Sequence, residues 1–447
     1  MSIKDYLHEM QQRVIIRGQS SDWGCIRAGV PQGSVLGPLL FLVYINDIVE
    51  EITCEIKLFA DDTSLYVTVD DYNLSTVLLN ANLKKIHEWS NQWLVSFNPQ
   101  KTKLLNISYK REPPFDDFPV YFNDVKISSV HEHKHLGLCI DDKLKWSLHV
   151  DSIISSVSKM INVILKLKYS LDRKTLQTIY FSFIRPKLEY ASIVWDDCSE
   201  YDKLRLENEQ LRCARIVSGA KKGTSHDLIY QELGWSTLSE RRKYCKFKFM
   251  FNIVNNHCPT YLHESLPVHV QHRHNLRNDS NIRNFRARTD KFRTSILPDC
   301  IRLWNDIPPA IKILPTIELF RTAIQTNPCV NVLYNGIDRR LSVIHAQLRM
   351  KCSNLNSHLF NLHVVDNPFC NCSVNVIEDS YHFFFDCPFY HTNRLQLFEN
   401  ISHIHVQPVF VSIDVLLFGS NALSFKNNVK LFECIESYIK DSERFFL

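Results

Sequence analysis

Two neighbouring carboxylates, Asp61 and Asp62, lie between Ile56-Lys-Leu-Phe59 and Ser64-Leu-Tyr-Val67. Both flanks are rich in β-branched and aromatic residues, so the stretch reads as strand, tight turn, strand. A hairpin that lifts two acids to its tip can hold divalent metal ions at one point of an otherwise apolar sheet. The competing reading is plain turn chemistry, because Asp favours turns. The chain holds four more such pairs, Asp70-Asp71, Asp116-Asp117, Asp141-Asp142 and Asp196-Asp197. Only the surroundings can separate the two readings.

A second group stands near the other end. Cys370-Asn-Cys372, then His382, then Cys387 supply three thiolates and an imidazole in the order of a Cys₃His zinc site. A helix over 379–385 would turn His382 inward. The single residue between the first two cysteines is tighter than the usual two to four. His391 and Cys352 are substitute ligands, and scattered core cysteines are the alternative.

The loop Gly29-Val-Pro-Gln-Gly-Ser-Val-Leu-Gly-Pro38 offers bare backbone to a ligand and stiffens it with two prolines. Pro38 suits the first turn of a helix through Phe41, Tyr44, Ile45 and Ile48, and such a loop is a general anion site. It is not a P-loop, since no Gly-Lys-Ser/Thr follows. A basic run, Arg273, Arg277, Arg283, Arg286, Arg288, Lys291 and Arg293, is opposed only by Asp279 and Asp290. It suits a phosphate backbone or a solvated face.

These groups need elements to hold them. At 447 residues the chain predicts two or three domains. A hydrophobic fraction of 45% and a charged fraction of 22% are those of a globular protein. The formal net charge of +4 is too small to imply a partner. Fourteen cysteines in so long a chain are no disulfide scaffold; most, such as Cys139 and Cys245, read as reduced core residues. The N-terminus has no apolar signal core, and no run approaches about 18 apolar residues. The expectation is a soluble intracellular protein, with no membrane partner.

Along the chain, residues 13–26 read as a hairpin and 74–91 as an amphipathic helix. Residues 93–97, 104–109, 120–122, 125–127 and 135–141 read as strands, and Asn98-Pro-Gln-Lys101 as a turn. After Trp146 the pattern becomes helical: Val150, Ile153, Ile154, Val157, Ile161, Ile164 and Leu167 trace one face. Further helices are expected over 176–185 and 204–217, with a linker over 325–335.

The order of motifs resembles reverse transcriptases of non-LTR retrotransposons, the jockey-like group in particular. It runs from the 29–38 loop through Tyr44-Ile-Asn-Asp47, Phe59-Ala-Asp-Asp62, Asn98-Pro-Gln-Lys101 and His135-Leu-Gly137. It continues through Tyr190-Ala-Ser-Ile-Val-Trp195 and Leu297-Pro-Asp-Cys-Ile-Arg-Leu-Trp-Asn-Asp-Ile-Pro308 into the cysteine-bearing tail. The resemblance implies an α+β fold: a partial palm over 1–145, a helical thumb and extension over 146–325, and a C-terminal unit with the zinc site over 336–447. It implies RNA-templated DNA synthesis by two-metal nucleotidyl transfer, with Mg²⁺ (or Mn²⁺) at Asp61 and Asp62. Phe59 and Ala60 would line the site, and Pro31, Gln32 and Gly33 would lie beneath the incoming nucleotide. Lys101 would protonate the pyrophosphate leaving group, unless it is simply an exposed turn lysine. His135, Leu136 and Gly137 would grip the primer. The implied partners are an RNA template, a DNA primer or target and deoxynucleotides, with a nuclear location.

One part of the pattern is missing. The family's palm adds a metal-binding aspartate from a strand upstream of the glycine loop, yet the only aspartates before Gly29 are Asp5 and Asp22. Neither lies in an apolar strand. The fingers and the front endonuclease are absent too. The sequence therefore predicts a truncated reverse transcriptase that is inert alone. The alternatives are a nucleic-acid-binding remnant built on the thumb helices, the basic run and the zinc tail, or a relic without a role.

Overall fold

The computed structural model describes residues 3–8, 10–26, 29–30, 32–109, 118–267, 281–324, 338–372, 375–404 and 411–446. Pro31, Arg273, Arg277, the Asp116-Asp117 pair and the 325–335 linker lie outside these residues. The described chain mixes helices with short strands, an α+β composition. It divides into two compact units, Met1–His135 with Ile140–Leu144, and Leu136–Cys139 with Lys145–Leu447.

The first unit is a set of small ladders with two longer helices, Leu36–Ile45 and Tyr72–Gln92. Ile15–Ile16 pairs with Gln19–Ser20 and Gln11–Gln12 with Gly24–Cys25, the hairpin expected at 13–26. Glu55–Phe59 pairs antiparallel with Asp62–Tyr66, and Lys103–Leu105 runs parallel to Ser128–Val130. Helix Tyr72–Gln92 starts where the Asp71 carboxylate accepts the Leu74 N–H at 2.9 Å. Its Leu83 and Ile86 join Ile45, Ile48, Val120, Phe122 and Ile127 in the core, against which Ile56, Leu58 and Leu65 pack.

Three strand expectations need correction. The strand expected over 104–109 is only Lys103–Leu105. Residues 93–97 form no strand. The preceding helix ends there instead: Leu94 adopts φ +57° and the Val95 N–H donates to the Ser90 carbonyl at 2.9 Å. The 135–141 stretch is not one strand but the end of Glu132–His135, a turn at Leu136-Gly137, and Leu138–Asp141.

The second unit is helical. Ser147–Leu167 packs Val150, Ile153, Val157, Ile161 and Ile164 against Glu200–Ser218, as its periodicity predicts. Among the described residues it alone is long and apolar enough to cross a membrane, and that apolar stripe is its core face. Phe247, Met250, Phe251, Cys300, Ile301, Trp304 and Phe320 form a second core. A third, around Phe383, Phe384, Leu431, Ile435 and Tyr438, carries the cysteine-bearing tail.

Within this unit the tail is tied to the earlier helices by a buried charge. The Glu232 side chain is 4% exposed. It accepts from Arg173 Nη1 at 2.7 Å, from Arg349 Nε at 2.8 Å and from Arg349 Nη2 at 2.7 Å. Burial pushes the carboxyl up, but the charges and hydrogen bonds of Arg349 and Arg173 outweigh it and hold it at about 2, below its ordinary 4.5. A depressed carboxyl contributes stability above its unfolded value and loses it as pH falls towards the folded one. Urea unfolding should therefore show roughly 3 kcal/mol of this contribution lost between about pH 4.5 and pH 2. Glu232→Gln should flatten that slope and also cost several kcal/mol at neutral pH, because two guanidiniums stay buried.

Candidate metal centres and the turns that hold them

The acid pair sits at a two-residue hairpin turn. Phe59 opposes Asp62 in the ladder, so Ala60 and Asp61 are the turn and Asp62 is the first residue of the returning strand. Ala60 takes φ +51°, the left-handed region that a tight hairpin needs at its first central position. Phe59, Ala60, Asp61 and Asp62 are all exposed. Strand alternation turns Ile56 and Leu58 inward and sends Lys57, Phe59 and the opposed Asp62 outward.

Members of three other acid pairs have structural work. Asp71 caps a helix, Asp141 accepts the Lys143 N–H at 2.9 Å, and Asp142 pairs with His131. Asp196 holds Arg242 and Lys246, and Asp197 holds Lys291. Among the described residues, neither the Asp61 nor the Asp62 side chain has a hydrogen bond or ion pair. That separates this pair from plain turn chemistry. Its nearby electrostatics involve a residue the sequence reading passed over: burial and His135 push the His133 imidazole below its ordinary value, against the opposing charge of Asp62.

The glycine loop is present as far as it is described. Gln32 and Gly33 form an exposed turn, with Gly33 at φ +87°. Ser34 Oγ accepts the Gly37 N–H at 3.1 Å and the Tyr6 hydroxyl at 2.6 Å, starting helix Leu36–Ile45. A serine three residues ahead of a helical N–H is a capping pattern legible in sequence. The Asn98 side chain accepts the N–H groups of Gln100 and Lys101, at 3.0 and 3.2 Å, and Lys101 is exposed.

The Leu136-Gly137 turn has φ +45° and +84°, the two left-handed residues of a type I′ hairpin. Tyr190 clasps it. Its hydroxyl donates to the Leu136 carbonyl at 2.8 Å, and its ring lies 3.1 Å from where a Cβ on Gly137 would stand. Trp195, fully buried, donates its indole N–H back to the Tyr190 carbonyl at 2.9 Å.

Of the basic run, Arg283, Arg286 and Arg288 are exposed, alternating with inward Ile282 and Phe285. Lys291 is spent on Asp197, and Arg293 pairs with Asp290 at 3.0 Å.

Cys370, Cys372, His382 and Cys387 converge, all four ligand atoms lying within 4.8 Å of one another. Cys370 Sγ is 3.8 Å from Cys387 Sγ, and Cys372 Sγ is 3.2 Å from His382 Nε2. Tetrahedral zinc, with bonds of about 2.3 Å to sulfur and about 2.0 Å to nitrogen, sets its ligands about 3.5–3.8 Å apart. The donor set and spacing thus fit zinc. Backbone shapes the cluster: the Cys370 N–H donates to the Val376 carbonyl at 2.7 Å, and His382 opens a π-turn, its N–H donating to Asp379 Oδ1 at 2.8 Å. Neither substitute ligand joins: Cys352 lies buried beside Thr224 and Lys221, and His391 is exposed.

The clasp makes a prediction. Gly137→Ala meets both a strained φ and the Tyr190 ring, and should cost about 1–3 kcal/mol in urea unfolding. Tyr190→Phe, which removes only the hydroxyl, should cost about 1 kcal/mol.

Comparison with known proteins completes the picture. Residues 1–140 match the sequence profile of the reverse transcriptase (RNA-dependent DNA polymerase) family. A probable RNA-directed DNA polymerase from transposon X-element of Drosophila melanogaster is 25% identical over 276 residues, 60% of this chain and 28% of the relative. The RNA-directed DNA polymerases from mobile element jockey are 29% identical over 261 residues in Drosophila melanogaster and 30% over 233 in Drosophila funebris. Those two matches cover 54% and 49% of this chain, and 28% and 25% of the relatives. The chain thus spans little more than a quarter of the length of these relatives. With the acid hairpin and the glycine loop inside the matched segment, it is a reverse transcriptase-like protein of the non-LTR retrotransposon type.

Proposed function

We propose that residues 1–145 are part of a polymerase palm, 146–325 a thumb and its extension, and 336–447 a zinc-bearing C-terminal unit. The substrates are deoxynucleotides, on an RNA template with a DNA primer or target. The carrying observation is the acid pair, exposed at a hairpin end within the family match, with no side-chain hydrogen bond or ion pair among the described residues. Asp61 and Asp62 hold Mg²⁺ (or Mn²⁺), which when bound neutralises charge on the attacking and leaving oxygens. Phe59 and Ala60 line the site, and Gln32 and Gly33, with Pro31, present backbone beneath the nucleotide. Lys101 gives a proton to the leaving pyrophosphate. His135, Leu136 and Gly137 hold the primer strand.

A two-metal centre needs more ligands than this pair. Among the described residues no third Asp, Glu, His or Cys joins Asp61 and Asp62 in a group able to hold a metal. The reading therefore includes inertness of this 447-residue stretch by itself. A missing ligand typically removes several kcal/mol of transition-state stabilisation. Primer extension with Mg²⁺ or Mn²⁺ should give no template-dependent product, and robust synthesis would overturn this part. The second reading, nucleic-acid binding without chemistry, is favoured by the exposed Arg283, Arg286 and Arg288. It predicts salt-dependent RNA binding that survives Asp61→Ala and Asp62→Ala.

Zinc at Cys370, Cys372, His382 and Cys387 is structural in this reading, a closed set with no open position. Metal analysis should find about one zinc per chain. Cys387→Ser should lose it, and chelation should lower the unfolding temperature, since binding energy here is folding energy.

A further inference from the structure

The stretch that carries the Cys₃His cluster is poor in the positive charge a phosphate backbone needs, although Lys351 and Lys221 act on its His358. Between Lys351 and Arg394 the sequence contains no lysine or arginine. Arg394 itself is turned inward, donating to the carbonyls of Phe384 and Cys387 at 3.0 and 2.5 Å. The same stretch carries four acids, Asp366, Glu378, Asp379 and Asp386. Arg444 neutralises only Glu378, at 2.7 Å, while Asp366, Asp379 and Asp386 are exposed. Zinc on three thiolates and a neutral imidazole adds one further negative charge.

Apolar side chains stand among these acids. Phe369 and Ile377 are 37% and 51% exposed and face each other across an antiparallel bridge, which puts them on one face. Tyr381 and Phe389 are 53% and 63% exposed. The Tyr381 ring is held by stacking on Phe385 at 5.0 Å. Phe369 precedes Cys370 and Phe389 follows Cys387 by two residues, so the cluster that joins those cysteines gathers both rings into one lobe. Exposed aromatics interspersed along the chain with exposed acids are the complement of a polypeptide that alternates basic with apolar side chains. A nucleic acid would find the rings but meet uncompensated charge.

Resting on the zinc reading above, we propose that this lobe is a protein-docking surface. Its partner is a basic, aromatic- or aliphatic-bearing polypeptide segment, and the lobe does not contribute to nucleic-acid binding. The test uses the full chain, with zinc content measured on the same preparation. Three labelled probes are titrated by fluorescence anisotropy: a short peptide alternating lysine with phenylalanine and leucine, its glutamate counterpart, and a single-stranded RNA.

The lysine peptide should bind and the glutamate peptide should not. Phe389→Ser with Tyr381→Ser should weaken the lysine peptide by roughly tenfold or more and leave RNA binding unchanged. Asp366→Lys with Asp386→Lys, which touches no ring, should also lose the lysine peptide. Equal binding of both peptides, or RNA affinity that falls with the ring variants, overturns the proposal. A zinc-loaded chain that binds no peptide removes the docking surface and leaves the metal reading standing. A zinc-free preparation removes both.

Discussion

Glu232 lies where three helices distant in sequence meet, and the two guanidiniums around it are what allow a carboxylate to be there. Removing an ion from water costs several kcal/mol even after relaxation. Arg173 and Arg349 offset that cost, and the surplus positive charge is itself bonded, Arg173 Nη2 to the Glu232 carbonyl at 2.5 Å and Arg349 Nη1 to the Leu417 carbonyl at 3.4 Å. Apolar faces can slide past one another with little change in buried area, whereas a guanidinium fork admits one register. Helices Arg173–Ile179, His226–Leu233 and Arg339–Arg349 are pinned by this centre, and the cysteine-bearing tail inherits its place from it. Lys246 does the same with reversed sign, 5% exposed between Asp196 and Asp299.

These buried centres explain motifs that would otherwise pass for catalytic. The Asp of Leu297-Pro-Asp299 and the first Asp after Trp195 are the two acids on Lys246. Tyr190 exists to clasp a hairpin turn, and Trp195 exists to hold Tyr190. Asp47 of Tyr44-Ile-Asn-Asp47 accepts the Trp89 indole N–H at 3.1 Å. Among the acid pairs whose two residues are both described, Asp61-Asp62 is the one in which neither side chain has a hydrogen-bonded or ion-paired partner. A side chain that folding does not need, in a stretch shared with polymerases, is where chemistry has room to act.

Much of this could be read from residue order. The period-two alternation of Ile56 and Leu58, the 3.6-period stripe of Val150, Ile153, Val157 and Ile161, and the Cys/His spacing each map onto one local geometry, and each appeared as expected. Residues 93–97 misled because β-branched and aromatic side chains suit a strand equally well when no neighbour offers a ladder. Leu136-Gly137 was hidden inside an apolar run for the opposite reason: only Tyr190, fifty-odd residues later, shows why the chain must turn there. The Glu232 centre was illegible, since nothing local in Arg173, Glu232 or Arg349 distinguishes them from solvated charges. The scarcity of lysine and arginine around the cysteines is legible in the sequence itself.

The direction of the acid pair follows from the core rather than from the acids. Ile56 opposes Leu65 and Leu58 opposes Thr63 on the inner face, so Lys57 with Ser64 and Phe59 with Asp62 must take the outer one. A slip of one residue would exchange the faces, placing a carboxylate on Ile45 and Leu83 and two aliphatic chains in water. Burying an unpaired carboxylate costs far more than a tight turn. The register that aims Asp62 outward is therefore held by hydrophobic contacts on the far side of the sheet. Ala60 completes the device by accepting a left-handed φ, which costs roughly 1–2 kcal/mol relative to ordinary backbone and keeps the turn at two residues. Two like charges on adjacent residues at that tip repel each other and have no protein cation bonded to them among the described residues. A divalent ion bound there, as proposed, would relieve that repulsion without disturbing the packing behind it, so the same hairpin could be a metal site and still a stable piece of sheet.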